Sequence, residues 1–191
     1  MEQADREFEE LILVKQLIPN VVIDLRYAST NNFLNKKIYT SKVCALRKNT
    51  AVKLLKAAES FEAYGYTLKI WDAYRPLSIQ FLFWDLVKDN RFVANPNIRP
   101  SIHNRGTAVD VTLVDKAGKE LEMPSEFDDF SERAYRDNPD MKPNVRKNLD
   151  LLINIMEQNG FRSIDTEWWH FEDVEWQKYE VLDIPLENFQ S

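Results

Sequence analysis

Apolar residues recur along this chain in two periods, and the switches between them mark out the elements. Between Asn49 and Tyr64, Val52, Leu55, Ala58 and Phe61 fall near helical spacing, and Gly65 is placed to end the helix. Tyr66 to Trp71 alternates as a strand does and runs into Asp72-Ala73-Tyr74-Arg75-Pro76. Pro76 suits the first turn of a further helix, with Ile79, Leu82, Phe83, Leu86 and Val87 on its apolar side, so Arg75 stands at a strand-to-helix junction. Pro96 and Pro100 make the stretch from Asp89 to Pro100 a loop. From Thr107 to Val114 the alternation is clear, with Val109, Val111 and Leu113 on one face and Ala108, Asp110 and Thr112 on the other. Asp110 therefore points away from the apolar face, and the small Ala108 beside it leaves room above the sheet. Asp115 to Gly118 reads as a turn and Glu122 to Glu132 as an irregular loop around Phe127-Asp128-Asp129-Phe130. A last long helix begins near Pro143, carries Val145, Leu149, Leu152, Ile153 and Met156 on one face, and closes at Gly160. Phe161 to Ile164 and Trp168 to Glu172 read as extended segments, which would set His170 on a strand beside the one carrying Asp110. Helices packed around a small, largely antiparallel sheet predict an α+β fold.

Composition narrows the choice of partners. With 191 residues, 44% of them hydrophobic, and no repeat or linker-like segment, one domain with one core is expected over 1–191. The 31 acidic residues outnumber the 25 basic ones, and a net charge of -6 removes the electrostatic case for nucleic acid or an anionic membrane. A small molecule or peptide fits better; the pattern does not set an oligomeric state. The single cysteine, Cys44, has no disulfide partner and offers no second thiol for a metal, so it is expected to be a buried small hydrophobe. Met1 to Glu10 is charged and no run reaches membrane-spanning length, so a soluble, cytoplasmic protein is the expectation, periplasmic if a signal segment has been removed.

The chain has only two histidines, each in acidic company. A catalytic zinc takes three protein ligands from His, Cys and carboxylate and keeps a fourth position open for water. His103, Asp110 and His170 would supply the three, and Glu167, three residues before His170, is the candidate base for the water proton. The plain alternative is a surface histidine with a strand-capping Asp110, which leaves the second acidic-histidine cluster as coincidence. A fixed guanidinium suits the oxyanion of a tetrahedral intermediate, which nominates Arg75; its plain alternative is a salt bridge at the strand end.

The pattern Ser101-x-His103-x-x-Gly106-x-Ala108-x-Asp110, followed by Glu167-x-Trp169-His170, resembles the D-alanyl-D-alanine dipeptidase family, the group that contains the vancomycin-resistance dipeptidase. Asp72-Ala73-Tyr74-Arg75-Pro76 is similar to that family's Asp-Gly-Tyr-Arg-Pro. Asp24-Leu25-Arg26-Tyr27-Ala28 with Asn32-Phe33 is similar to its N-terminal substrate loop, and Phe127-Asp128 to its acidic loop. The likeness runs from about Asp24 to Phe171. It implies a compact α+β fold around one Zn2+ and hydrolysis of D-Ala-D-Ala to two D-alanines. Within that chemistry it implies Glu167 as general base and acid, Arg75 at the oxyanion, and Tyr27, Ser101 and Asp128 around the substrate amino terminus. Two departures stand out. Ala73 replaces a glycine, which is harmless only where the backbone does not need positive φ, and Met123 to Glu126 lacks the glycine usual before Phe127. The second leaves the strictness of substrate choice open. Rival functions are a zinc carboxypeptidase that trims D-Ala from longer cell-wall peptides, and a zinc-containing binding module without catalysis. Glu167 and Arg75 argue against the module, which needs neither.

Overall fold

The computed structural model describes residues 11–90 and 93–189; the charged stretch Met1 to Glu10 lies outside the described residues. The chain enters through β1 (Leu11–Leu13), α1 (Val14–Leu17) and β2 (Val22–Ile23), and after a long loop reaches β3 (Ala45–Arg47) and α2 (Lys48–Ala63). Then follow β4 (Thr67–Asp72), α3 (Leu77–Val87), β5 (Ala108–Val114), α4 (Pro143–Gln158), β6 (Phe161–Ser163) and β7 (His170–Asp173). Strands β1 and β3 pair antiparallel as a small separate sheet, and the main sheet has the order β2-β4-β5-β7-β6. Among the described residues only the β2–β4 pair is parallel. The expected α+β fold with a largely antiparallel sheet is what the chain adopts.

Strand β5 lies at the centre of that sheet and all seven of its residues are buried. Val109, Val111 and Leu113 join the core. Helix α4 starts with Pro143 in its first turn and buries the expected Val145, Leu149, Leu152, Ile153 and Met156, with Ile155 added; Gly160 follows in the left-handed region at φ 88°. Helix α2 and helix α4 pack together beside the sheet.

The structure differs from the sequence reading in four details. Helix α2 turns Ala51, Leu54, Ala57, Ala58 and Phe61 inward and leaves Val52 exposed, because that i, i+3, i+4, i+7 set includes the compact alanines that allow close packing. Helix α3 buries Gln80 and Phe83 and leaves Leu82 and Leu86 exposed, because the helix is rotated to bring Gln80 onto Arg75. The last strand begins at His170, not Trp168: the Glu167 carbonyl accepts the His170 N–H at 3.2 Å, closing a turn over the two tryptophans. The short β1, β2 and β3 were not anticipated; at two or three residues each, they show no periodicity of their own.

Candidate active site

The register of the main sheet assembles the core of the site. Asp110 on β5 is directly opposite His170 on β7 and, across an irregularity after Ile70, opposite Asp72 on β4. Three polar side chains thus stand in one row across three paired strands. His103 arrives from a short helical turn, Ile102–Arg105, immediately before β5. Ser101 caps this turn: its hydroxyl accepts the His103 N–H at 3.3 Å, while the Asn104 side-chain oxygen accepts the Ser101 N–H at 2.8 Å. Gly106 then reverses the chain at φ 70°, and a Cβ there would sit 2.9 Å from the Leu11 side chain.

His103 Nε2, His170 Nδ1 and Asp110 Oδ1 converge. They are separated by 3.2, 3.0 and 3.3 Å for the His–His, His170–Asp110 and His103–Asp110 pairs. A tetrahedral zinc with bonds near 2.0–2.1 Å places its ligand atoms about 3.3 Å apart. The donor set and the triangle therefore fit zinc. The remaining ring nitrogens are also engaged. His103 Nδ1 lies 2.7 Å from the Ala73 carbonyl oxygen, and His170 Nε2 lies 3.4 Å from Glu172 Oε1. Ala73 itself does not take positive φ, so replacing glycine there brings no backbone strain.

Burial opposes ionisation of Asp110, but the two imidazoles next to it hold its carboxyl well below the usual carboxylate range. Burial also opposes a charge on His170, yet hydrogen bonds to Asp110 and Glu172 push it up to about 10. A divalent ion held by His103, Asp110 and His170 would supply the positive charge in place of that proton. Glu167 is 33% exposed in its side chain and lies 4.0 Å from His170 Nδ1. Burial raises its carboxyl above the ordinary value, with His170 opposing the rise and Asp110 adding to it.

Arg75 is buried against Asp72: Nε and Nη2 donate to Asp72 Oδ2 at 3.2 and 2.6 Å, and Nη1 donates to Gln80 Oε1 at 2.8 Å. Its guanidinium lies over the rings of Phe83 and Tyr27, at 4.8 and 5.4 Å. Asp72 Oδ1 accepts the Tyr39 hydroxyl at 2.7 Å, so this carboxylate is fixed at both oxygens. Opposite, the Tyr27 hydroxyl donates to Asp128 at 3.1 Å. Asp128 takes φ 59°, an unusual backbone for a residue other than glycine. Burial, then the charge of Asp110, raises its carboxyl well above the usual range. Asn32 ties the preceding loop together by donating to the carbonyls of Arg26, Ser29 and Lys36.

Tyr27, Arg75, Ser101, His103, Asp110, Asp128, Glu167 and His170, the eight candidates from the sequence, all line one cleft of about 420 Å³. Phe33, Phe83 and Phe130 wall part of it. Sequence reasoning did not nominate Asp72, Gln80 or Glu172. The last could have been found from its spacing, since residues two apart on a strand share a face. Trp168 and Trp169 are buried beside the ligand turn, and Trp168 Nε1 donates to Ser125 at 3.0 Å, which anchors the glycine-free loop before Phe127. Cys44 is buried as expected, and burial pushes its thiol far up, out of the reactive range.

What the sheet presents to the cleft is the donor set of a mononuclear metallohydrolase. Comparison with known proteins takes this class to a family. Residues 7–191 match the family described as D-ala-D-ala dipeptidase. The chain is 36% identical over 182 residues to the D-alanyl-D-alanine dipeptidase of Escherichia coli, covering 95% of this chain and 94% of that one. It is 31% identical over 176 residues to the enzyme of the same name from Enterococcus faecium, covering 82% and 87%. Among solved structures, a vancomycin-resistance D,D-pentapeptidase in complex with Zn(II) aligns with a TM-score of 0.47 at 15% identity, covering 71% of this chain and 76% of that one. The chain belongs to the D-ala-D-ala dipeptidase family, and with it is a zinc metallopeptidase. Among the described residues no helix is long and apolar enough to cross a membrane.

Proposed function

We propose that this protein, acting as one domain, hydrolyses the free dipeptide D-Ala-D-Ala to two D-alanines. The observation that carries the reading is the convergence of a zinc-type triangle, the buried Arg75 guanidinium and the Asp128 carboxylate on one cleft of about 420 Å³. His103, Asp110 and His170 hold the metal, which when bound supplies Lewis acidity to water and to the scissile carbonyl. Glu167 receives the water proton on its side-chain carboxylate and returns it to the leaving amine; its raised affinity for protons, caused first by burial, suits both half-reactions. Among the described residues Arg75 uses three of its five donors on Asp72 and Gln80, which leaves two for the oxyanion from a guanidinium that cannot swing away.

Asp128 and Tyr27 bind the substrate ammonium. An ionised Asp128 close to Asp110 is costly in this buried corner, and the ammonium of a dipeptide offsets that cost. Ser101 adds its hydroxyl to the same rim. An amine bound in this way leaves no exit for residues preceding the first alanine.

Incubation with D-Ala-D-Ala and with a muramyl pentapeptide, each with and without a chelator, tests the proposal. Rapid cleavage of the dipeptide, an intact pentapeptide and loss of turnover on chelation are expected. Comparable cleavage of the pentapeptide would replace this reading with a carboxypeptidase, and no cleavage of either would support a binding module. Glu167→Gln is expected to keep zinc and lose about 10²–10⁴ in kcat; near-normal turnover would remove Glu167 from the mechanism.

A further inference from the structure

We infer that Glu172 is the positioning residue of the metal site: it accepts a hydrogen bond from the Nε2–H of His170 and so holds the imidazole in the tautomer that leaves Nδ1 free for the metal. The inference rests on the ligand reading of His103, Asp110 and His170 and goes beyond it, by naming what prepares one of those ligands.

A neutral imidazole carries one N–H, and a metal takes the nitrogen without it. His170 Nδ1 belongs to the ligand triangle, 3.0 Å from Asp110 Oδ1 and 3.2 Å from His103 Nε2, so its proton has to reside on Nε2. That nitrogen faces Glu172 Oε1 at 3.4 Å. The two residues are two apart on β7 and project from the same face of the strand. Glu172 is only 6% exposed and lines the cleft, so solvent does not compete for the contact. The opposite tautomer would turn a nitrogen lone pair towards a buried carboxylate, which disfavours it.

Glu172 is itself held. Its other oxygen, Oε2, accepts both Nε and Nη2 of Arg162, the Nε bond at 2.7 Å, and Arg162 is its register partner on β6. On the other side its register partner is Ala108 on β5, which leaves space for the carboxylate. His103 is prepared differently, by the backbone carbonyl of Ala73 at Nδ1. The two histidines are therefore held in opposite tautomers, His103 protonated on Nδ1 and His170 on Nε2.

Such second contacts commonly contribute 10–100-fold to metal affinity. Zinc dissociation constants are to be measured on the full chain by competition with a chromophoric chelator, for the unaltered protein, Glu172→Ala and Glu172→Gln. Glu172→Ala is expected to bind zinc about 10–100-fold more weakly, and Glu172→Gln, whose amide oxygen still accepts the Nε2–H hydrogen bond, to recover most of that loss. Unchanged affinity in Glu172→Ala with a native-like melt of the metal-free protein overturns the inference.

Imidazole ¹⁵N spectra of the zinc-loaded unaltered protein give a test that survives misfolding of a variant. With two histidines in the chain there are two ring systems to read, and one Nδ1-protonated with one Nε2-protonated ring is expected. Two Nδ1-protonated rings overturn the role of Glu172. An unaltered protein that binds no zinc overturns the ligand reading itself, a distinct result from zinc binding that ignores Glu172.

Discussion

Removing Asp72 is expected to destabilise the protein severely, and a second substitution is expected to restore much of the loss. Asp72 is completely buried and Arg75 is only 7% exposed. In Asp72→Ala the guanidinium keeps Gln80 but loses its counter-charge, and breaking a buried pair from one side costs about 3–5 kcal/mol. The Tyr39 hydroxyl, also buried, loses its acceptor at a further cost of about 1–3 kcal/mol. The sum, roughly 4–8 kcal/mol, is a large part of the 5–15 kcal/mol that folded domains of ordinary size possess. Changing Arg75 as well, in Asp72→Ala/Arg75→Met, removes the orphaned charge and fills the space with apolar atoms facing Phe83 and Tyr27. A buried ion pair replaced in this way is often close to neutral in stability, so the double variant should regain about 3 kcal/mol or more over Asp72→Ala. Urea unfolding of the metal-free proteins, with midpoints and slopes compared, measures both differences. If Asp72→Ala loses less than about 1.5 kcal/mol, or if the double variant is at least as unstable as the single one, the charge argument is wrong.

Tyr27→Phe deletes the hydroxyl that orients Asp128 and should raise KM for D-Ala-D-Ala about tenfold, equivalent to about 1.4 kcal/mol, with a smaller change in kcat; an unchanged KM counts against the amine-binding role. Gly106→Ala has to hold alanine at φ 70° with its Cβ 2.9 Å from Leu11, so a loss of about 1–2 kcal/mol in thermal or urea unfolding is expected. Glu175, paired with Lys178 and Lys53, titrates at about 2 instead of its ordinary 4.5, so its contribution to stability is complete above pH 4.5 and lost as pH falls through 2. The melting difference between the unaltered protein and Glu175→Gln should shrink across that window, and a constant offset would contradict the pairing.

Much of the site was legible because it lies on regular periods. Strand β5 announces itself by Val109, Val111 and Leu113, and the same alternation fixes the face of Asp110. The apolar stripe of α4 is equally plain. What the sequence could not convey is pairing over distance. That Asp110 faces His170 across 60 positions, or that Asp72 completes the row, depends on register, which the periodicity of one strand does not contain. Helix α3 was misread for a related reason. Leu82 and Leu86 look like core by type, but the helix turns Phe83 and Gln80 inward, where Gln80 meets Arg75 and the Ala94 carbonyl, and leaves those leucines at the surface. Glu172 was overlooked because an acidic residue near a strand end ordinarily signals a solvated surface.

The row of Asp72, Asp110 and His170 is fixed by backbone pairing, whereas Tyr27, Phe33, Asp128 and Phe130 come from irregular segments outside the main sheet. These two sets tolerate change differently. A slip of one residue in β5 would bring Val109 or Val111 into the place of Asp110 and end metal binding altogether. The irregular segments carry no metal ligand of their own, so changes there leave the register untouched as long as the Tyr39–Asp72 and Tyr27–Arg75 contacts are kept. Reaction and substrate choice are thus carried by separable parts, and a new preference is most accessible by rebuilding the rim around an untouched sheet.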